Sequence, residues 1–362
     1  MLVKSVELYQ YRSYPSLRME PAPGINLIYG DNAQGKTNLL EAVYVCATGV
    51  SHRGARDKEL IAFEEKEGAI RLVVEKGGIE TRIDFALNRE KNREVSVNQV
   101  PLKRLAQLPG YFHVVFFSPE DLKIIKSSPM ERRSFLNVEL CQLSSAYTWH
   151  LVDYKKTLTQ RNALLKMLRD SRDYLPLLDA YDEKLAAAGE AIMAERESFV
   201  EEMEEIVRQI HRELSGGREE LAIRYVPGTE RGRMEEKLLA SRERDIAQGS
   251  SSQGPQRDEL EFSINGKDVK HFGSQGQQRT TALSMKLGEI ELVKKKLGEA
   301  PVLLLDDVLS ELDEGRQEKL LESLQGVQTF LSCTGLDDFV RRQVQADKKW
   351  KVMKGTLTEE DI

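Results

Sequence analysis

Apolar and polar residues alternate with two different periods along the chain, and the changes between them divide it into three parts. Over residues 1–120 the pattern is typical of short strands. Val3 to Tyr9 alternates like an edge strand, Ile25 to Tyr29 is a short apolar run, and Gly77-Gly78 separates two strand-like segments as a hairpin turn does. This part predicts strands around one helix, Lys36 to Cys46.

The second part, from about Pro129 to Leu214, has apolar residues at helical spacing and almost no glycine. One stripe contains Leu178, Tyr181, Leu185, Ala188 and Ile192, and continues with Phe199, Met203, Ile206 and Ile210. A shorter stripe contains Leu151, Tyr154, Leu158 and Leu165. Both predict an antiparallel helical hairpin with the stripes as its core, ended by Gly216-Gly217.

The third part returns to mixed periods. A helix over 231–247 and a flexible loop over 249–254 come first. A hairpin then pairs Glu259–Ile264 with Val269–Phe272 through Asn265-Gly266, which suits a type I′ turn. Alternating helices and strands follow, over 280–296, 302–305, 313–324 and 329–331, and predict a sheet covered by helices. We expect an α/β fold with parts 1–120 and 221–362 and a helical insertion over 121–220.

Composition narrows the class of protein only slightly. The chain has 362 residues, of which 40% are apolar and 31% charged, as suits a soluble globular protein. No apolar run approaches the ~18 residues of a membrane span, so we expect a cytoplasmic protein. Three separated cysteines show no metal-ligand spacing, and a net charge of −6 gives no hint of nucleic acid.

The segment GDNAQGKT is the most specific motif in the sequence. It follows a predicted strand, precedes a predicted helix and fits the P-loop pattern, whose backbone N–H groups surround nucleotide phosphates. Lys36 would bind the β- and γ-phosphates, and the Thr37 hydroxyl would bind Mg²⁺. The predicted ATP-binding residues of the loop are Gly30, Asp31, Asn32, Ala33, Gln34, Gly35, Lys36 and Thr37.

A second motif, LLLDD, ends a predicted buried strand in two acids. Asp306 is the expected Mg²⁺ ligand, since this ion prefers oxygen ligands and keeps part of its hydration. Asp307 is the expected catalytic base, which would orient and deprotonate the attacking water. With Lys36, these two acids are the predicted catalytic residues. Capping of the following helix is the alternative for Asp307.

A third segment, Ser274, Gln275, Gly276 and Gln277, begins the predicted helix after the Asn-Gly hairpin. Alone it suggests only an N-cap. In order along the chain, however, P-loop, Ser-x-Gly-Gln and paired acids resemble the ATP-binding-cassette (ABC) ATPases. That resemblance implies a head-to-tail homodimer, in which the signature serine of one subunit contacts the γ-phosphate bound by the P-loop of another.

Finer motifs resemble the RecF family, the DNA-repair branch of these ATPases related to Rad50 and SMC heads. The matching segments are YRSYPSL, GDNAQGKTNLLEA, SHR, FFSPEDL, GPQRDEL, SQGQQRT and LLLDDVLSELD, in family order over nearly the whole chain. The resemblance adds Arg12 to the ATP-binding residues. Gln256 stands where the family usually has His, and Ser332-Cys333-Thr334 stands where transporter ATPases carry a switch histidine.

The resemblance also implies binding to gapped DNA and single-strand/duplex junctions, partnership with RecR, RecO and RecA, and slow ATP hydrolysis. From the residues themselves, DNA binding has only basic candidates, which are Arg53, Arg56, Lys58, Lys123, Lys126, Arg132 and Arg133. A further basic set lies along the helical insertion: Lys155, Lys156, Arg161, Lys166, Arg169 and Arg172. A solvated, ion-paired helix face is the alternative for that set.

Two other functions share the same motifs. One is the ATPase subunit of a membrane ABC transporter, which the YRSY start, the helical insertion and the absent switch histidine oppose. The other is a DNA-bound scaffold that uses ATP only to hold a dimer together. The cheapest discriminator is dimerisation measured with ATP, with ADP, and for the variants Lys36→Arg and Asp307→Asn.

Overall fold

A computed structural model describes residues 1–335 and 344–360. Its strands are β1 (Leu2–Tyr11), β2 (Tyr14–Met19), β3 (Ile25–Tyr29), β4 (Glu67–Lys76), β5 (Ile79–Asn88), β6 (Glu94–Val97), β7 (Val100–Pro101), β8 (Val114–Phe117), β9 (Leu221–Val226), β10 (Glu259–Ile264), β11 (Lys267–Asp268), β12 (Val302–Asp306), β13 (Thr329–Cys333), β14 (Lys348–Met353) and β15 (Thr356–Glu360). Its helices are α1 (Lys36–Thr48), α2 (Asp57–Leu60), α3 (Leu122–Lys126), α4 (Pro129–Leu143), α5 (Ser145–Met167), α6 (Leu177–Leu214), α7 (Met234–Gln248), α8 (Val269–Phe272), α9 (Gln275–Leu297) and α10 (Glu314–Ser323).

The chain forms two compact units. The first comprises Met1–Asp121 and Met285–Ile362, and the second comprises Leu122–Ser284. The first boundary agrees with the insertion expected at 121. The second does not, because the expected return at 221 lies inside the second unit. There β9 and β10 pair with each other and pack against α6 and α4, so the sheet that follows the long helix belongs with the helices.

Two six-stranded sheets make up the first unit. One has the order β2-β1-β4-β5-β6-β7 and is antiparallel, and the other has the order β15-β14-β3-β13-β12-β8. In the second sheet β14, β3, β13, β12 and β8 are parallel to one another, and β15 pairs antiparallel with β14. Strands β12, β13 and β8 are buried along their whole length. Helix α1 contacts strands of both sheets. It is accordingly apolar nearly all round, as a fully buried helix is.

Strand β1 is not the edge strand that its alternating pattern predicts. It pairs with β2 on one side and with β4 on the other. Alternation of apolar and polar residues shows that one face of the sheet is buried and the other is not. It does not show whether a strand has hydrogen-bonded neighbours on one side or on both. The Gly77-Gly78 hairpin, in contrast, is confirmed as the connection between β4 and β5.

In the second unit the predicted helical hairpin is formed by α5 and α6, while α4 is an additional helix. Tyr147 lies next to Arg196 and Arg161 next to Asp182, so the two helices run antiparallel. The predicted stripes face inward. Leu178, Leu185 and Ile192 are fully buried, and the helix ends where Gly216 and Gly217 adopt positive φ.

Two expectations for residues 249–272 are wrong. Residues 249–254 are not an exposed flexible loop, since Ser251 and Ser252 are buried and the Gly254 N–H donates to Thr229 Oγ1 at 2.7 Å. Asn265-Gly266 does form the turn with two positive φ angles that a type I′ turn needs. Beyond β11, however, Val269–Phe272 is the short helix α8, capped by Asp268, whose carboxylate accepts from the His271 N–H at 2.8 Å.

Arg161 is the largest fully buried side chain of the described residues. Its guanidinium donates to Asp182 at 2.6 Å, and to Asp245 and Ser251 at 2.8 Å. The network joins α5, α6, α7 and the 249–254 segment. It also removes Arg161 from the candidate DNA-binding set, because a buried, doubly ion-paired guanidinium cannot meet a phosphate.

Replacing Arg161 with Met should therefore destabilise the protein. The buried Asp245 would lose its ion pair, and Asp182 would keep its pair with Arg242 at 2.7 Å. Breaking a buried ion pair typically costs about 3–5 kcal/mol of unfolding free energy. Chemical denaturation monitored by circular dichroism measures the change. Lys156→Met, at an exposed position of the same helix, is the control and should change stability by less than about 0.5 kcal/mol. Equal effects of the two variants would contradict the structural role of Arg161.

Candidate nucleotide-binding site

Three neighbouring parallel strands bring the predicted motifs together. The order β3-β13-β12 places the P-loop, Ser332 and the paired acids at the carboxyl ends of adjacent strands. This edge is where ligands bind in α/β sheets. The sheet therefore assembles from distant parts of the sequence the site predicted for nucleotide phosphates.

Backbone geometry explains both glycines of the P-loop pattern. Gly30 has φ 151°, and a Cβ there would lie 2.3 Å from the Val352 carbonyl oxygen. Gly35 has φ 119°, and its Cβ would lie 2.5 Å from Ser13 Oγ. Between them the loop curves so that Lys36 Nζ donates to the carbonyls of Gly30 at 2.6 Å and Asp31 at 3.1 Å. Asp31, Asn32 and Ala33 are exposed at the rim of this curve.

Asp306 connects the P-loop helix to the central strands. Its Oδ1 accepts hydrogen bonds from Thr37 Oγ1 at 2.9 Å and from Ser332 Oγ at 2.7 Å. Ser332 Oγ in turn accepts from the Asp307 N–H at 3.1 Å. The Ser332 hydroxyl proton is thus directed to Asp306. One serine fixes both acids.

Asp307 adopts φ 53°, a left-handed conformation that is uncommon for residues other than glycine. Strained backbone of this kind clusters at functional sites. Burial raises the pKa of its carboxyl above the usual value, Lys36 opposes that rise, and Asp306 adds to it. A higher pKa makes the carboxylate a stronger base, as the predicted role in water activation requires.

Two hairpin turns rest on the P-loop, and neither was found from the sequence. The turn between β1 and β2 supplies Tyr14, whose hydroxyl donates to the Gly35 carbonyl at 3.0 Å, and Ser13, which accepts from Asn38 Nδ2 at 3.0 Å. The turn between β14 and β15 contacts Gln34, whose Oε1 accepts from the Lys354 N–H at 2.6 Å. The loop conformation is therefore supported by the ends of both sheets.

Arg12 lies in the first of these turns but is bound to protein. Its Nε and Nη2 each donate at 2.9 Å to the two carboxylate oxygens of Glu41, which is fully buried in α1. Ser51 donates to the same carboxylate at 2.6 Å. Burial alone would raise the pKa of Glu41, but the hydrogen bonds from Arg12 and Ser51 lower it overall. Glu41 is the site residue that the sequence analysis missed, and its charge inside an apolar helix was the available signal.

The donor set suits a magnesium ion that also binds phosphates. Thr37 offers a hydroxyl and Asp306 a carboxylate, and both are oxygen ligands beside the P-loop. Within residues 1–335 and 344–360, no group of three or more His, Cys, Asp or Glu side chains could hold a metal ion. The two side chains thus fit an ion that takes its remaining ligands from nucleotide and water.

The signature residues begin helix α9 in the second unit. Ser274 Oγ accepts from the Gln277 N–H at 3.2 Å, and the Ser274 N–H donates to Gln277 Oε1 at 2.9 Å. This reciprocal pair is a capping box. Ser274 and Gln275 are exposed, and Gly276 and Gln277 are half-buried. The N-cap interpretation and an anion-binding role are compatible, because capping leaves the serine hydroxyl proton free to donate.

The basic candidates differ in exposure. Arg53, Arg56, Lys58, Lys123 and Lys126 are exposed, and Arg133 is half-buried. Arg132 is wrong as a candidate, because it is buried, ion-paired with Glu259 and bonded to the Ile124 and Ser127 carbonyls. In the helical set, Lys155, Lys156 and Lys166 are exposed, whereas Arg169 donates to the carbonyls that end α7 and Arg172 pairs with Glu243.

The side-chain amide of Gln256 is hydrogen-bonded to other residues of the protein. The Tyr154 hydroxyl donates to its Oε1, and its Nε2 donates to the Gln253 carbonyl at 2.7 Å. Its amide thus links α5 to the buried 249–254 segment. Over residues 1–335 and 344–360, no helix has the length and apolar character needed to span a bilayer.

The P-loop, the paired acids at the same sheet edge and the Ser-x-Gly-Gln helix start together define an ABC-type ATPase. Residues 2–334 match the family model of the RecF/RecN/SMC N-terminal domain. The chain is 48% identical over 357 residues to the DNA replication and repair proteins RecF of Lachnoclostridium phytofermentans and Agathobacter rectalis, with 99% of each chain covered. It belongs to the RecF family.

Solved structures agree with this assignment. The structure of the recombination mediator protein RecF-ATP in the RecFOR pathway matches with a TM-score of 0.93 and 35% identity, covering 99% of this chain and 97% of that one. An Smc head from Pyrococcus furiosus matches with a TM-score of 0.55 and 19% identity, covering 99% and 96%. The second match shows a shared fold.

The Arg12–Glu41 pair yields a stability prediction. Arg12→Ala leaves a fully buried carboxylate without its cation, which should cost about 3 kcal/mol of unfolding free energy at pH 7. The folded pKa of Glu41 is lowered, so the stabilisation is present above its ordinary value of 4.5 and is lost as pH falls through the folded pKa. Denaturation at several pH values should show the difference from wild type narrowing in acid.

Arg12→Ala/Glu41→Gln is the matched control, since it removes both charges and should recover part of the lost stability. If Arg12→Ala lowers the free energy of unfolding only when ATP is present, the structural role of Arg12 would be contradicted. Direct binding of Arg12 to the nucleotide would then be favoured.

Proposed function

We propose that this protein is an ATP-dependent DNA-binding protein of recombinational repair, switched by dimerisation of its ATPase units. The observation that carries the proposal is the hydrogen-bonded set of Thr37, Asp306, Ser332 and Asp307 beside the P-loop. It has the residue types for binding and cleaving a nucleoside triphosphate. The RecF-ATP relative supports ATP as the nucleotide.

In the proposed cycle each P-loop binds one ATP. Lys36 neutralises the β- and γ-phosphates, while backbone N–H groups and the start of α1 surround them. Thr37 and Asp306 would hold Mg²⁺, which neutralises charge on the phosphate oxygens. Asp307 accepts a proton from the attacking water, and its position after β12 is fixed by Ser332.

The other half of each site comes from a second copy of the chain. Ser274 is exposed and its hydroxyl proton is available, so it can donate to the γ-phosphate held by the partner. ATP thereby joins two subunits head to tail, and hydrolysis separates them. A short Asp307 in place of a glutamate suits slow turnover, so that the closed dimer lasts long enough to act on DNA.

DNA binding by the closed dimer follows from the exposed basic residues and from family membership. The exposed candidates are Arg53, Arg56, Lys58, Lys123 and Lys126, and contacts of this kind bind phosphate independently of sequence. Arg133 is a weaker candidate, because it is half-buried and donates to the Asp258 carbonyl at 2.9 Å. Gapped DNA and single-strand/duplex junctions are the proposed substrates, with RecR, RecO and RecA as partners in the cytoplasm. The relative named in the RecFOR pathway supports the first two of these partners. Family membership disfavours the transporter alternative.

Dimerisation by ATP is the first test. Light scattering should show a dimer with ATP and a monomer with ADP. Ser274→Arg should remain monomeric while still binding ATP, because its P-loop is intact. Lys36→Arg should weaken both ATP binding and dimerisation.

Asp307→Asn should form a persistent dimer and reduce hydrolysis by about 100-fold or more, since it lacks the proton acceptor. A wild-type protein whose mass never responds to ATP would overturn the proposal. Normal hydrolysis by Asp307→Asn would remove Asp307 from the role of base.

Salt dependence tests the DNA contacts. Lys126→Ala should weaken binding to gapped duplex and reduce the slope of log affinity against log salt by about one, the effect of one lost phosphate contact. Lys295→Ala, which removes an exposed lysine outside the candidate set, is the control and should leave the slope unchanged. Fluorescence anisotropy over a range of salt concentrations measures both. The same slope for both variants and wild type would exclude Lys126.

A further inference from the structure

The side chain of Gln277 connects the signature turn to a buried part of the second unit. Its Oε1 accepts the Ser274 N–H at 2.9 Å, and its Nε2 donates to Glu219 Oε1 at 3.0 Å. One amide group therefore bonds to the signature serine through its oxygen and to an acid through its nitrogen. The contacts that hold Glu219 in place therefore also orient the side-chain amide of Gln277.

The charge of Glu219 sets the direction of the amide. An ionised carboxylate only accepts hydrogen bonds, so Gln277 must present its NH₂ group to Glu219 and its oxygen to Ser274. The capping box then forms as observed, with Ser274 Oγ accepting from the Gln277 N–H. The one remaining hydrogen of the serine hydroxyl is left to donate outward, toward an anion.

Glu219 is itself held on its second oxygen. His211 Nε2 lies 3.1 Å from Glu219 Oε2, and His211 Nδ1 lies 3.1 Å from Ser284 Oγ. His211 and Ser284 are both fully buried, and Glu219 is half-buried. A hydrogen bond between Nε2 and an ionised Glu219 requires a proton on Nε2, since the carboxylate only accepts.

The backbone around Glu219 is equally defined. The positive φ angles of Gly216 and Gly217 turn the chain after α6, so that Glu219 returns to His211, eight residues earlier. The backbone of the next residue, Glu220, is held by Asn265. The Glu220 carbonyl accepts from the Asn265 backbone N–H at 2.9 Å, and the Glu220 N–H donates to Asn265 Oδ1 at 2.9 Å. Glu219 is therefore a fixed acceptor.

Ser284, His211 and Glu219 follow one another as the residues of a hydrolase triad do. The Ser284 hydroxyl, however, donates to the Thr280 carbonyl at 2.8 Å, and the burial of Ser284 and His211 excludes substrate. The hydrogen bonds instead continue from Glu219 through Gln277 to the exposed signature turn at Ser274.

We propose that Glu219 is a positioning residue for the ATPase reaction: anchored by His211, it orients Gln277 and thereby aims Ser274 at the γ-phosphate bound by a second copy of this chain. The inference rests on the proposed function, since it assigns Glu219 to the step in which the signature turn closes on nucleotide. Glu219 has no contact with nucleotide and acts only through Gln277.

The test compares Glu219→Ala with wild type in two measurements. Binding of ATP to the monomer should be unchanged, because the P-loop lies in the other compact unit. The concentration needed for ATP-driven dimerisation should rise about tenfold, the size expected for losing one hydrogen bond to a charged group. Hydrolysis at a fixed low protein concentration should fall in parallel.

Two controls separate positioning from general destabilisation. Glu219→Gln should behave like wild type, because its carbonyl oxygen accepts from Gln277 and its NH₂ group donates to His211 in the other tautomer. Glu220→Ala removes an exposed acid at the adjacent position and should change neither measurement. Thermal unfolding identifies any variant that fails to fold.

A double-mutant cycle decides the route of the effect. In a Gln277→Ala background Glu219→Ala should have no further effect on dimerisation, because its target is already absent. An equal loss in both backgrounds, or tenfold weakening by Glu220→Ala as well, would overturn the proposal. Wild-type dimerisation and its loss in Ser274→Arg are measured alongside. Their failure would refute the proposed function, whereas their success with a wild-type-like Glu219→Ala would refute this inference alone.

Discussion

The site depends on one carboxylate oxygen. Asp306 Oδ1 accepts from the first turn of α1 through Thr37 and from strand β13 through Ser332, and Ser332 accepts from the backbone of Asp307. Asp306 is buried, so its charge must be compensated by such donors. The same bonds set the distance between the P-loop helix and the acid that follows β12. The order of the parallel strands therefore fixes the positions of both Asp306 and Asp307, and a small shift of β13 would move both acids.

The sequence predicted the ends of these strands better than their neighbours. The P-loop, the paired acids and the Asn-Gly turn were found because glycine spacing and acids after an apolar run have local physical causes. The position of β1 inside its sheet was missed, since alternation describes faces and not edges. The buried 249–254 segment was mistaken for a flexible loop because its partners Asn162 and Thr229 lie far away in sequence. Local composition cannot show partners at that separation.

Charged residues show the same limit most clearly. Arg132 and Arg161 were both DNA-binding candidates, yet each is held by a buried or half-buried acid from another part of the chain. Arg12, expected to bind ATP, is held in the same way by Glu41. A guanidinium can be buried without a large loss of stability only if an acid compensates its charge, and the fold brings that acid beside it. Lys126 has an equally basic sequence context, but its side chain is exposed. Predicting DNA contacts from basic clusters therefore selects scaffold arginines together with surface ones, and burial is what separates them.

The two halves of the proposed site are built by opposite means. The P-loop is supported by turns from two sheets and by a buried acid. The signature serine is exposed, and its order comes from a capping box and from Gln277. A supported half and an exposed half suit the proposed switch, because in it only ATP gives the exposed half something to bind. Linkage then requires that whatever favours the closed dimer, DNA included, tightens ATP binding by the same factor.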